Sequence, residues 1–226
     1  MKDVRAINKK IVILLVIQQI YGNAFKKLIT TYSEHLKDFS LWFTEGLWHI
    51  ADLKAYDHIL FLLVLFGGFQ LKDWRKVLLL ITAFTIGHSI TLALSVLEII
   101  RIRTVLVEFL IPCTILTTAI YNLVTLKRGN SQNIFLSFSM ALFFGLIHGM
   151  GFSVLLKSLL GKASNIVGPL FSFNLGIEAG QILIIAAISV LTMITTKLLK
   201  ITGYTWRFFI SAAVFGVALV MAVERL

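Results

Sequence analysis

The residues that could do chemistry in this chain are His58, His88, Glu108, His148 and Glu178, with Asp57 beside the first. They lie on five separate apolar segments, yet all fall in the same half of the bilayer those segments would cross. A charged group at mid-helix in lipid costs roughly 2.5–3.5 kcal/mol on insertion scales. Five such positions at one depth are expected to serve one shared site. Imidazole with carboxylate suits a divalent transition metal, whereas carboxylate-only sets suit Mg or Ca.

The direct ligands expected are His58, His88 and His148, with Asp57 and His49 next. A ligating imidazole usually passes its other N–H to a carboxylate or carbonyl. Ser89 in GHSIT, and Asn174 and Gln181 on the helix of Glu178, are expected in that supporting role. Asn174, Glu178 and Gln181 recur at i, i+4, i+7 and so share one helical face. Gly145, Gly149 and Gly151 flank His148, and small residues let helices approach closely in lipid. Pro112, one turn beyond Glu108, is expected to bend its helix and free a carbonyl. His35, on the amphipathic N-terminal stretch, reads as a surface residue.

The elements that must carry these residues are membrane spans. Of 226 residues, 58% are hydrophobic and only 14% charged, against ~25% charged in a soluble domain. Mean hydropathy is +0.91. The fold class expected is all-α: a polytopic helical membrane protein of six core transmembrane helices plus an N-terminal hydrophobic segment. The core runs are roughly 55–70, 76–98, 104–126, 133–158, 168–196 and 206–223, each about long enough for a ~30 Å core. The N-terminal run, 11–25, follows Lys9 and Lys10 and reads as an uncut signal anchor rather than a cleaved signal peptide. The expected domains are 1–38, an anchor and amphipathic segment, and 39–226, the transmembrane domain.

The net charge of +10 does not indicate nucleic acid. The Lys and Arg residues sit between apolar runs, and more of them flank the side that holds the N-terminus. By the positive-inside rule the N-terminus is cytoplasmic and the site faces the periplasm. Trp74 and Trp206 then mark the inner interface, Trp42 and Trp48 the outer. Residues 40–53, with Glu45, His49 and Asp52 on one face, read as an interfacial helix. A single cysteine, Cys113, excludes an intrachain disulfide and a multi-cysteine metal site. No HExxH, P-loop, GxGxxG or GxSxG is present.

Gly46-x-x-His49 followed by Asp57-His58-Ile59-Leu60-Phe61 resembles the opening motif of the HupE/UreJ family of bacterial membrane proteins. So do AFTIGHSITL (83–92), VEFLIP (107–112) leading to Asn122, FFGLIHGMGF (143–152), FSFNLGIEAGQ (171–181) and the closing Glu224-Arg225. The resemblance covers about residues 39–226 and is nearest the short forms of Bacteroidetes-like bacteria. The gap from His49 to Asp57 is about two residues longer than in the commoner form, and Tyr121 stands where many relatives carry an acid. The resemblance implies an inner-membrane protein of nickel or cobalt uptake.

Three functions remain in view. The first is a transition-metal permease for nickel or cobalt. The second is a zinc-dependent intramembrane hydrolase, with Glu108 or Glu178 as catalytic base and a lipid or membrane-anchored substrate near the outer leaflet. The third is a structural protein whose polar core only joins helices. The partners expected are membrane lipid and the metal ion; the sequence points to no protein partner.

Overall fold

A computed structural model describes residues 26–27, 38–54, 56–67, 69, 73–126, 133–160 and 166–226. The chain divides into two compact units, Met1–Leu41 and Trp42–Leu226, and everything below concerns the second. The apolar run 11–25 and His35 lie outside the described residues.

The described elements are helices throughout. Helix α1 covers residues 38–51. It is followed by α2 (Asp57–Phe66), α3 (Trp74–Val96), α4 (Thr104–Thr125), α5 (Ile134–Leu160), α6 (Val167–Met193) and α7 (Gly203–Glu224). A π-helical turn, Ile194–Leu198, extends α6. Among the described residues, five helices are long and apolar enough to cross a membrane. These are α3 to α7, and with α2 they account for the six apolar core runs. The chain is a polytopic helical membrane protein.

The first core run behaves differently from its sequence reading. As a helix it is only ten residues, Asp57–Phe66, or ~15 Å, half of a ~30 Å hydrocarbon core. It stops at Gly67, whose N–H closes the last turn on the Leu63 carbonyl. Helix α1 supplies the other half. Its Gly46 sits on the backbone carbonyl of Phe173, and Gly176 of α6 sits on the carbonyl of Phe43. Trp42 and Ile50 are buried. The expected interfacial helix is therefore packed into the bundle.

The register gives direction. Phe43 meets Gly176 and Leu47 meets Gly180, so α1 runs parallel to the first half of α6. Trp206 Nε1 at the start of α7 donates to Thr192 Oγ1 near the end of α6 at 3.1 Å. Arg225, just past the end of α7, reaches the Glu108 carbonyl in the first turns of α4. The starts of α4 and α6 thus share one end of the bundle with the close of α7. Asn122, in the last turn of α4, donates to the Val64 carbonyl of α2 at 2.6 Å, so α2 points to the opposite end. Together α1 and α2 form one broken crossing, interrupted at residues 52–56. Irregular backbone at membrane depth is tolerated where protein or a polar cavity surrounds it.

The tightest crossing joins α3 to α5. Gly87 lies on the Leu142 carbonyl, Gly145 on that of Phe84, and Gly149 on that of His88. Paired steps of four on both helices make them parallel, and the absent side chains bring their backbones into contact. Beyond their ends, Glu98 carries a left-handed φ of 62°. It accepts from Lys157 at 2.9 Å and from Arg101 at 2.6 Å, joining the two helix ends.

Candidate metal centre

The glycine crossing of α3 and α5 seats His88 and His148 inside the bundle, both almost fully buried. The first turn of α2 contributes Asp57 and His58. The last turn of α1, held by its own glycine contacts with α6, contributes His49. The ring centroids of His58 and His148 are 4.2 Å apart. His49 lies 4.8 Å from His58 and 5.7 Å from His88. Four imidazoles from four helices therefore converge at the break in the first crossing.

Asp57 binds the group together electrostatically. Its Oδ1 is 3.2 Å from His58 Nδ1, at ion-pair distance but out of line for a hydrogen bond. The same oxygen accepts the His58 backbone N–H at 3.0 Å. Its Oδ2 is 4.0 Å from His148 Nε2. One ligand atom each from Asp57, His58 and His148 lies within 4.8 Å of the others. Ligands ~2 Å from one ion can be no more than ~4 Å apart, so side-chain rotations of ordinary size would close this set on a metal.

Aromatic rings wall the cluster. Phe144 stacks on His148 at 4.2 Å and on Phe61 at 3.6 Å. Phe152 packs on His49 at 4.0 Å. These neighbours offer the imidazoles no hydrogen bonds. His49 Nε2 and both ring nitrogens of His58, His88 and His148 are buried without a hydrogen-bond partner. A buried polar atom left so costs ~1–3 kcal/mol, and a cluster of them is unusual in a native core. Lone-pair donors gathered without protons to share are what a transition-metal ion would satisfy.

The remaining candidates lie outside this group. Glu108 is exposed. The buried face of α4 runs through Val107, Ile111, Ile115, Ala119 and Asn122, one step around the helix from it. Glu178 is half-buried and accepts from Thr82 Oγ1 at 3.3 Å. Gln181 is fully buried and its Oε1 accepts from Thr85 at 3.1 Å. Asn174 Oδ1 has no partner. Ser89 donates to the Thr85 carbonyl of its own helix at 2.6 Å. Sequence reasoning gave no role to Arg225, whose guanidinium lies 4.0 Å from Asp57 Oδ2. The available signal was Pro112: having no N–H, it leaves the Glu108 carbonyl unbonded in its own helix, and Arg225 donates to that oxygen at 3.1 Å.

Fold and site define a class: a multi-pass helical membrane protein with a buried histidine–carboxylate cluster at a broken helix. The family model described as HupE / UreJ protein matches residues 26–225, nearly the whole chain. The chain belongs to the HupE/UreJ family. No curated protein and no solved structure matches it.

Proposed function

We propose that this protein is a permease that binds a divalent transition-metal ion at Asp57, His58 and His148, with His49 and His88 completing the site. The observation that carries this reading is the set of buried imidazole nitrogens without partners beside a carboxylate. Nickel or cobalt is the cargo that the family resemblance implies, and nitrogen-rich donor sets suit both. The broken crossing adds support. Transporters commonly place cation sites between interrupted helices near mid-membrane, and His49 and Asp57 flank such an interruption. In this reading the protein lies in the bacterial inner membrane, N-terminus inside, with the shared end of α4, α6 and α7 facing the periplasm.

A zinc-dependent hydrolase would need a carboxylate base within reach of metal-activated water. Glu108 is exposed and Glu178 is held by Thr82, so the geometry favours the permease. The test is uptake of radioactive nickel or cobalt into proteoliposomes holding purified protein. Saturable accumulation, lost in His58→Ala and His148→Ala, is expected. Equal accumulation in protein-free vesicles would contradict transport.

A further inference from the structure

We propose that Arg225 is a tethered counter-cation that neutralises Asp57 in the metal-free protein and is displaced when metal binds. The inference rests on the metal-binding reading above and assigns how that site is kept loaded and emptied.

Three observations carry it. First, Arg225 Nη1 lies 4.0 Å from Asp57 Oδ2, the same oxygen that faces His148 Nε2 at 4.0 Å. The guanidinium therefore competes for a carboxylate oxygen that a metal would use. Among the described residues, no other Lys or Arg comes within ion-pair distance of Asp57. Second, the guanidinium is anchored. Pro112 leaves the Glu108 carbonyl without an intrahelical donor, and Arg225 donates to it at 3.1 Å. Third, there is room for it to leave. A cavity of about 290 Å³ opens beside it, lined by Arg103, Val105, Leu106, Phe109, Arg225 and Leu226. Its side chain is 31% exposed against 13% for Asp57, so it spans from that cavity to the buried cluster.

The physics follows from charge. An ionised carboxylate buried among neutral imidazoles needs a compensating cation. Arginine supplies one that does not deprotonate, so the guard works at any physiological pH. An arriving divalent ion brings more charge to the same oxygen and repels the guanidinium toward the cavity. On release, Arg225 returns and prevents a bare carboxylate from holding the ion too tightly.

The experiment titrates purified protein with Co²⁺ alone, read by visible absorbance. If the tethered cation occupies the carboxylate about nine times in ten, Arg225→Gln lowers the apparent Kd about tenfold. Arg225→Lys, which keeps the charge, stays near wild type. An unchanged or weaker affinity in Arg225→Gln overturns the inference, since a merely structural tie between α7 and α4 would only weaken binding when cut. A second measurement uses wild-type protein. Modification of Arg225 by phenylglyoxal, read by mass spectrometry of the C-terminal peptide, is expected to quicken with bound Co²⁺; an equal or slower rate overturns the inference. Failure of wild-type protein to bind Co²⁺ removes the metal reading and this one together, whereas wild-type binding with an indifferent Arg225→Gln removes this one alone.

Discussion

Gly149 of α5 rests against the backbone carbonyl of His88 on α3, so closely that a Cβ at that position would overlap it. That contact sets the distance between the two helices carrying His88 and His148. Gly149→Val is therefore expected to push α3 and α5 apart, lower the melting temperature and weaken Co²⁺ binding at least tenfold, or ~1.4 kcal/mol. The control is Gly151→Ala, two residues on, where a Cβ would meet only Val107 Cγ1 at 3.4 Å and Ile111 Cδ1 at 3.7 Å. That variant should bind and melt like the parent. Titration and thermal unfolding in detergent measure both.

Helix α1 depends on a second glycine seam. In Gly176→Leu the new side chain would meet the Phe43 carbonyl and lift α1 from α6, taking His49 from the cluster. Cobalt affinity should fall toward that of His49→Ala, and combining the two changes should add little, because both remove one group. Gly168→Ala, which meets nothing within 4 Å, should have no effect. Fully additive losses in the double variant would show that His49 acts independently of how α1 is docked.

The acids should separate by position. Asp57→Asn removes the charge shared by His58, His148 and Arg225 and is expected to abolish uptake and weaken metal binding at least tenfold. Glu108→Gln, on an exposed side chain, should leave binding and uptake near wild type. Loss of activity in Glu108→Gln with Co²⁺ binding intact would favour the hydrolase reading. Binding isotherms and uptake rates on the same preparations decide it.

Glu98 gives a pH test outside the spans. Hydrogen bonds and charge from Lys157, then Arg101, hold its carboxyl below the ordinary value of 4.5. A carboxyl with a depressed folded-state pKa stabilises the fold above its unfolded value and loses that contribution as pH falls through the folded one. The difference in melting temperature between wild type and Glu98→Gln should thus hold constant from neutral pH down to about 5 and shrink below 4.5. High salt should reduce it at every pH, since the groups are exposed. A difference growing toward acid would contradict the assignment.

Much of this was legible in the sequence because lipid makes polar residues conspicuous. His58, His88 and His148 stood out in apolar runs, and spacing from helix ends put them at one depth. What stayed hidden was orientation around each helix. Glu108 shares that depth, but α4 is apolar on nearly every side, so nothing in its pattern marked Val107 as facing inward and Glu108 outward. The place of α1 was hidden for a related reason. Residues 40–53 carry Glu45, His49 and Asp52 on one face and are too short to span, which resembles a surface helix. Only the pairing of Gly46 with Phe173 and Gly176 with Phe43, 127 and 133 positions apart in the chain, puts it inside. Arg225 needed both Pro112 and the folded meeting of α7 with α4 to acquire a role.

The most direct test of the account is X-ray absorption at the cobalt edge on protein loaded with one equivalent of Co²⁺ and washed. The account requires a nitrogen- and oxygen-ligated ion with the multiple-scattering signature of at least two imidazoles, and loss of that signature in the His58→Ala/His148→Ala double variant. An ion that washes out of wild-type protein, or a spectrum that survives both substitutions unchanged, would contradict it.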